Sequence, residues 1–150
     1  DPSLLELEVL ESAALDDMDQ ALWVMQQCRS LGVHFALDDF GTGYSSLAYL
    51  SRLPVTALKI DRGFVAEIER DKASRQIVKT IVDLCRNIDI PCVAEGVETQ
   101  AQLAALAALD CHLVQGYYYA QPMAGERVAA YLLRELAALV DTGVAELKVA

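Results

Sequence analysis

Apolar residues in this chain follow two alternating patterns. Short runs of aliphatic and β-branched residues, "LLELEVL" (4–10), "VHFALDD" (33–39), "ALKID" (57–61), "PCVAEG" (91–96) and "LVQGYYY" (113–119), read as strands. Longer stretches with helical spacing separate them. In 16–32, Leu22, Val24, Met25, Cys28 and Leu31 supply an apolar face, and Gly32 supplies a stop. Asp16, Asp17 and Asp19 suit its start, because a carboxylate there caps free N–H groups and opposes the helix dipole. "YSSLAYLSRLP" has room for a short helix that Pro54 ends. Ile77, Ile81, Val82 and Cys85 mark a helix over 74–87, Thr99 caps "QAQLAALAAL", and 125–140 forms the last helix. Strands joined by helices in this order pair in parallel through right-handed crossovers, which predicts an α/β fold. No linker, repeat or low-complexity tract divides the 150 residues, so they read as one domain.

Polar residues recur at one place in this pattern. Glu8, Asp38, Lys59, Glu95 and Gln115 each lie within or just past the C-terminal part of a strand, 20 to 36 residues apart. Those spacings are the lengths of strand-plus-helix units. Ligands of parallel α/β folds sit beyond the carboxyl ends of the strands, so the five residues are expected to converge on one site. Five strands form either an open sheet or the later part of an eight-stranded barrel, and the pattern alone leaves both open.

Asp38 and Asp39 pose a geometric question, since neighbours on an ideal strand point to opposite faces. At a strand end the chain turns, and Gly41 and Gly43 let it bend and approach a ligand closely. Both carboxylates then address the same region. Unpaired and near Glu8 and Glu95, they would raise one another's pKa, a repulsion that divalent cations relieve. Hard ions such as Mg²⁺ and Mn²⁺ prefer oxygen ligands, and pairs of them about 3.5–4 Å apart serve phosphodiester hydrolysis. Asp38 is the candidate bridge, Asp39 and Glu95 would complete the second ion, and Glu8 would hold the first. Lys59 is out of place in a strand interior unless it holds a water or a phosphate oxygen and stabilises developing negative charge. A plain salt bridge to Asp61 or Glu95 is the alternative, and Asp61 and Arg62 read as residues that order the following loop. "DDFG" lacks the upstream phosphate loop and catalytic loop of a kinase, and "GTG" after two acids is not a dinucleotide turn.

Composition narrows the partners. Twelve Lys and Arg against 22 Asp and Glu give a formal charge of −10, which argues against a large nucleic acid but leaves a small phosphate ligand open. No apolar run approaches the ~20 residues that cross a bilayer, so a cytoplasmic segment is expected, with a membrane tether elsewhere in a parent protein still compatible. Cys28, Cys85, Cys92 and Cys111 match no zinc spacing and read as buried reduced thiols. His34 and His112 are isolated and read as structural.

The stretches "LELEVLES" (5–12), "LGVHFALDDFGTGYSSLAYLSRLPVTALKIDRGFV" (31–65), "VAEGVET" (93–99) and "LVQGYYYAQPM" (113–123) together resemble the EAL family of bacterial cyclic-di-GMP phosphodiesterases. The family's fold is a (βα)8 TIM-like barrel with one antiparallel strand. The resemblance implies that this chain is about its C-terminal three-fifths, with roughly five parallel strands and intervening helices. The family's Glu-Ala-Leu segment and an asparagine-bearing strand belong upstream of Asp1.

Carried across by residue, the resemblance makes Glu8, Asp38 and Asp39 metal ligands. Glu95 becomes a ligand of the second ion or the group that prepares the water, and Lys59 contacts that water. Gln115 would hold the site or a guanine, Glu11 would anchor the "DFGTGYSSL" loop, and Glu98 would support a loop. The implied reaction is hydrolysis of cyclic-di-GMP to linear pGpG with Mg²⁺ or Mn²⁺, two ions per intact site. The implied partners are a second copy of the domain and an upstream sensory or regulatory domain. The chain departs from the family at Leu10, where threonine is usual, and at Gly63, where serine is common. A catalytically inactive module that binds cyclic-di-GMP or a protein partner is the competing expectation.

Overall fold

The computed structural model describes residues 1–42 and 50–142. After a 3-10 turn at Pro2–Leu4 the order is β1 (Glu6–Leu10), α1 (Glu11–Asp16), α2 (Met18–Ser30), β2 (His34–Phe40), β3 (Ala57–Ile60), α3 (Arg62–Glu67), α4 (Lys72–Asn87), β4 (Cys92–Glu95), α5 (Gln100–Ala107), β5 (Leu113–Gln115) and α6 (Gly125–Thr142). All four strand pairings are parallel, and the spatial order is the chain order, β1-β2-β3-β4-β5. A doubly wound sheet reverses its order at a switch point; this one does not, as in a barrel.

Register divides the sheet into two unlike faces. Leu7 and Val9, Phe35 and Leu37, Leu58 and Ile60, Ala94 and Val114 share the face that receives the helices, and Phe35, Leu37, Leu58, Ile60 and Ala94 are buried there. On that side α4 contributes Val78, Ile81, Val82 and Cys85 to the core. The opposite face starts with small or apolar residues, Ala36, Ala57 and Val93, all buried. Toward the carboxyl ends it changes to Glu8, Asp38, Lys59, Glu95 and Gln115.

Local chemistry explains most of the element ends. Asp17 accepts from Gln20 N at 3.1 Å and starts α2; Asp71 accepts from Ala73 N and Ser74 N at 3.1 and 2.8 Å and starts α4. Thr99 caps α5, as the sequence predicts, and Gln102 completes a reciprocal capping box with it.

Several elements differ from expectation. The helix expected over 16–32 is α2, but a short helix that the pattern did not predict, α1, precedes it, and the two are separated at Asp17, whose backbone leaves the helical region at φ −144° and ψ 83°. The loop expected at Asp61 and Arg62 opens a helix, with Asp61 as its cap through Gly63 N at 3.0 Å. Of the apolar positions expected to mark the helix over 74–87, Ile81, Val82 and Cys85 are buried, but Ile77 lies at the exposed margin and Val78 is buried in its place. Strand "LVQGYYY" stops at Gln115. The helix expected in "YSSLAYLSRLP", and Gly43, fall largely outside the described residues.

The early end of β5 has a packing cause at Gly116. Val97 N donates to Gln115 O at 3.1 Å, and Tyr118 N donates to Val97 O at 2.9 Å, so the loops after β4 and β5 are strapped together across Gly116. A Cβ on Gly116 would lie 2.2 Å from Val97 O and 2.3 Å from Val97 N, backbone atoms that cannot give way. Gly116→Ala is therefore expected to lower unfolding stability by about 3 kcal/mol, the upper end of overpacking costs, in a urea titration. An unchanged midpoint would show that the loops separate freely.

Candidate metal centre at the carboxyl ends of the strands

The adjacent aspartates are resolved by a bulge. Leu37 pairs with Leu58 and Phe40 with Ile60, so between these pairs Asp38 and Asp39 together oppose the single residue Lys59. Asp39 makes this possible by adopting φ +54°, a left-handed conformation that aspartate tolerates better than most residues. Its N–H donates to Asp38 Oδ1 at 3.0 Å. The extra residue returns Phe40 to the apolar face and leaves both carboxylates near one region.

Glu95 arrives on the same face from β4. Carboxylate oxygens of Asp38, Asp39 and Glu95 all lie within 4.8 Å of one another, a grouping able to hold a metal ion. Lys59, only 5% exposed, donates to Glu8 and forms a close ion pair with Glu95; its Nζ is 3.8 Å from Asp38 Oδ1. Glu8 thus reaches the centre through the lysine and stands outside the three-carboxylate group. Gln115 is the register partner of Glu95 and is exposed.

The loop beyond the bulge is held from beneath. Glu11, 2% exposed, accepts from Gly41 N at 3.1 Å, while Thr42 Oγ1 donates to Asp39 O at 2.9 Å. Gly41 has φ +99°, and a Cβ there would press on Phe64 Cε2 at 3.1 Å and Ile81 Cδ1 at 3.2 Å. Glu98 stays exposed; its N–H donates to Gln102 Oε1 at 2.8 Å, and among the described residues its carboxylate is not brought into the acidic group. His34 is exposed at the far end of β2, and His112 faces Asp110 at 3.6 Å.

One site residue escaped the sequence reading. Asp61, taken only as a loop residue, lies near enough to Asp39 to push its pKa up. Its spacing of two from Lys59 was the available signal, since residues two apart on a strand face the same way.

Electrostatics follow from this crowding. Burial raises the pKa of Asp39, reinforced by the charges of Asp38 and Asp61, with Arg62 opposing. Burial also raises Glu95; Lys59 pulls it back, and Asp38 and Glu8 push it further up. For Lys59, burial acts downward but the bonds to Glu8 and Glu95 outweigh it, so the ammonium is held above its usual range. Four carboxylates around one ammonium leave surplus negative charge. The donors are all oxygens, which fits a hard divalent cation and not a thiolate-type zinc site.

Sequential parallel strands with a lysine-centred acidic cluster at their carboxyl ends define a barrel-type α/β protein whose carboxylates are grouped closely enough to hold a metal ion. The chain belongs to the EAL domain family, whose model matches residues 1–122. It is 48% identical over 130 residues to the bifunctional diguanylate cyclase/cyclic di-GMP phosphodiesterase MucR of Pseudomonas aeruginosa, covering 87% of this chain and 19% of that protein. A solved PaMucR phosphodiesterase c-di-GMP complex superposes with a TM-score of 0.81 at 49% identity, over 85% of this chain and 51% of that one. A Klebsiella pneumoniae BlrP1 manganese/cy-diGMP complex gives 0.76 at 34% identity, over 81% and 31%. The chain therefore spans about a fifth of the curated relative, and about half and about a third of these two solved chains. The five parallel strands with their helices match these TIM-barrel-like neighbours.

Proposed function

We propose that this chain supplies the catalytic carboxylates and lysine of a phosphodiesterase that hydrolyses cyclic-di-GMP to linear pGpG. The observation that carries the reading is the bulge in β2, which sets Asp38 and Asp39 opposite Lys59 with Glu95 within 4.8 Å of both. The named activity of the 48%-identical relative supports the substrate, and the manganese complex of a neighbour supports a hard divalent ion.

Glu8, Asp38, Asp39 and Glu95 are the residues that would hold two Mg²⁺ or Mn²⁺ ions, with Asp38 shared. Such ions supply positive charge against the phosphoryl oxygens and favour ionisation of water. The chain's own groups then have separable tasks. Glu95, with its pKa raised, takes the proton from the attacking water, and Lys59 keeps that water and a phosphoryl oxygen in place. A water oxygen bonds to phosphorus, the phosphorus–O3′ bond breaks, and the 3′ oxygen leaves as a hydroxyl after taking a proton from solvent water. Gln115, beside Glu95, offers an amide to a guanine edge, and Glu11 keeps the Gly41 loop against the site. A second copy of the domain and an upstream sensory domain remain part of this proposal. Among the described residues no helix is long and apolar enough to cross a membrane.

The decisive experiment uses the intact protein that carries this chain. With Mg²⁺ or Mn²⁺, chromatography is expected to show cyclic-di-GMP converted to pGpG, and EDTA to stop it. Binding of the dinucleotide without turnover would overturn the enzymatic reading in favour of a sensor. The 150 residues alone are expected to show little turnover, because the ligands that the family resemblance assigns to upstream strands are not among them.

A further inference from the structure

Glu95 is the last residue of β4, so the direction in which its carboxylate leaves the strand depends on the turn that follows, residues 96–99. Gly96 has φ +70°, and a Cβ there would lie 2.7 Å from Arg62 Cβ, so the start of α3 packs directly against the turn. Val97 is fully buried and is bonded through both its N–H and its carbonyl to the chain on either side of Gly116. These contacts hold the turn from the β3 and β5 sides. A glycine at its start still leaves the backbone other paths unless the far end of the turn is fixed as well.

Gln102 fixes that end. It is 7% exposed, and its Oε1 accepts from Thr99 N at 3.0 Å and from Glu98 N at 2.8 Å. A capping box needs only the first of these bonds, the one back to the N–H of the capping residue. The second and shorter bond reaches past the helix into the turn itself. Thr99 Oγ1 in return accepts from Gln102 N at 3.1 Å and donates to Glu69 Oε1 at 3.3 Å, which holds the cap in place.

We infer that Gln102 is a positioning residue for Glu95: one buried amide oxygen gathers the N–H groups of Glu98 and Thr99 and so fixes the turn that aims the Glu95 carboxylate at Lys59 and the two aspartates. The inference rests on the catalytic role proposed for Glu95. Carboxylate oxygens of Glu95, Asp38 and Asp39 lie within 4.8 Å of one another, and a misplacement of about 1 Å in such a group is enough to cost on the order of 100-fold in rate. Leucine at position 102 keeps the size and helix preference of glutamine but accepts no N–H. Glutamate keeps the acceptor.

The test compares Gln102→Leu, Gln102→Glu and Thr99→Ala in the intact protein at saturating Mn²⁺, with Gln102→Met replacing the leucine variant where that one fails to fold. Gln102→Leu is expected to lower kcat for cyclic-di-GMP by about 10-fold or more with KM within about twofold, the scale of losing a bond that orients a ligating or catalytic group. Gln102→Glu should restore most of that loss, because the carboxylate accepts from the same two N–H groups. Thr99→Ala removes the cap of α5 but neither bond to Gln102 Oε1, so it should lower stability and leave kcat within about twofold of the parent. Hydrogen–deuterium exchange in EDTA reads the turn without turnover: a peptide spanning 93–99 should exchange about 10-fold faster in Gln102→Leu than in the parent, with 34–40 unchanged. Equal exchange in the two proteins would overturn the inference. So would a kcat loss in Thr99→Ala or in Gln102→Glu as large as that in Gln102→Leu, since helix stability or packing would then account for it. A parent that binds the dinucleotide without turnover refutes the phosphodiesterase reading instead, and the exchange comparison still decides whether Gln102 holds the turn.

Discussion

Asp38→Asn in the intact protein is expected to lower turnover of cyclic-di-GMP by at least about 100-fold, the scale of losing one preorganised electrostatic contact. The substitution keeps the size of the side chain, and an amide oxygen can still accept from Asp39 N, which donates at 3.0 Å. The bulge therefore persists, and what disappears is one negative charge at the centre of the group that also holds Asp39 and Glu95. As the proposed shared ligand, Asp38 weakens the hold on both cations when its charge is lost. Raising the Mn²⁺ concentration should recover part of the rate, while circular dichroism stays that of the parent. Turnover within about twofold of the parent would count against the shared position.

Lys59→Met is the second large effect, and it separates catalysis from stability. Turnover is expected to fall by about 100-fold or more, because the buried ammonium paired with Glu8 and Glu95 is the positive charge held at the centre of the cluster. Stability should fall as well. Methionine fills the space, but Glu8, Asp38 and Glu95 lose their cation. A cost of about 1–3 kcal/mol is expected at neutral pH, less than for a fully buried broken pair because Glu8 is half exposed to water.

That cost has a definite pH dependence. Glu95 already lies above the usual carboxylate value with Lys59 present, and removal of the ammonium raises it further. A carboxyl whose folded pKa exceeds its unfolded value costs stability when ionised above the folded pKa, and the cost vanishes below the unfolded one. The melting-temperature gap between parent and Lys59→Met, measured in EDTA, should therefore narrow as the pH falls from 7 toward about 4. A gap that stays the same across this range would show that the lysine contributes by packing alone.

Much of the site was legible because its signals are local. Five polar residues at strand ends, the acid pair before glycines and a lysine in an apolar strand can all be read without knowing which strands touch. Thr99 and Asp17 announce their helices in the same way, since a cap acts within three residues of itself. The bulge was not legible. Alternation along an isolated strand sends Asp38 and Asp39 to opposite faces, and only the pairing of Leu37 with Leu58 and Phe40 with Ile60 shows that one residue of β2 is extra. The approach of Asp61 to Asp39 depends on the same register, and so does the early end of β5 on a contact between Gly116 and Val97.

Hydrophobic periodicity and residue chemistry by themselves determined that this chain would alternate strand and helix and would carry oxygen ligands and one lysine at the strand ends. Both act over a few residues, so a linear text records them. The tertiary structure alone decided that the strands stand in chain order, that two neighbouring carboxylates share one side of the sheet, and that the loops after β4 and β5 meet at Gly116. Each of these depends on register and packing between segments far apart in the chain. Their free energy comes from contacts that no single segment can make.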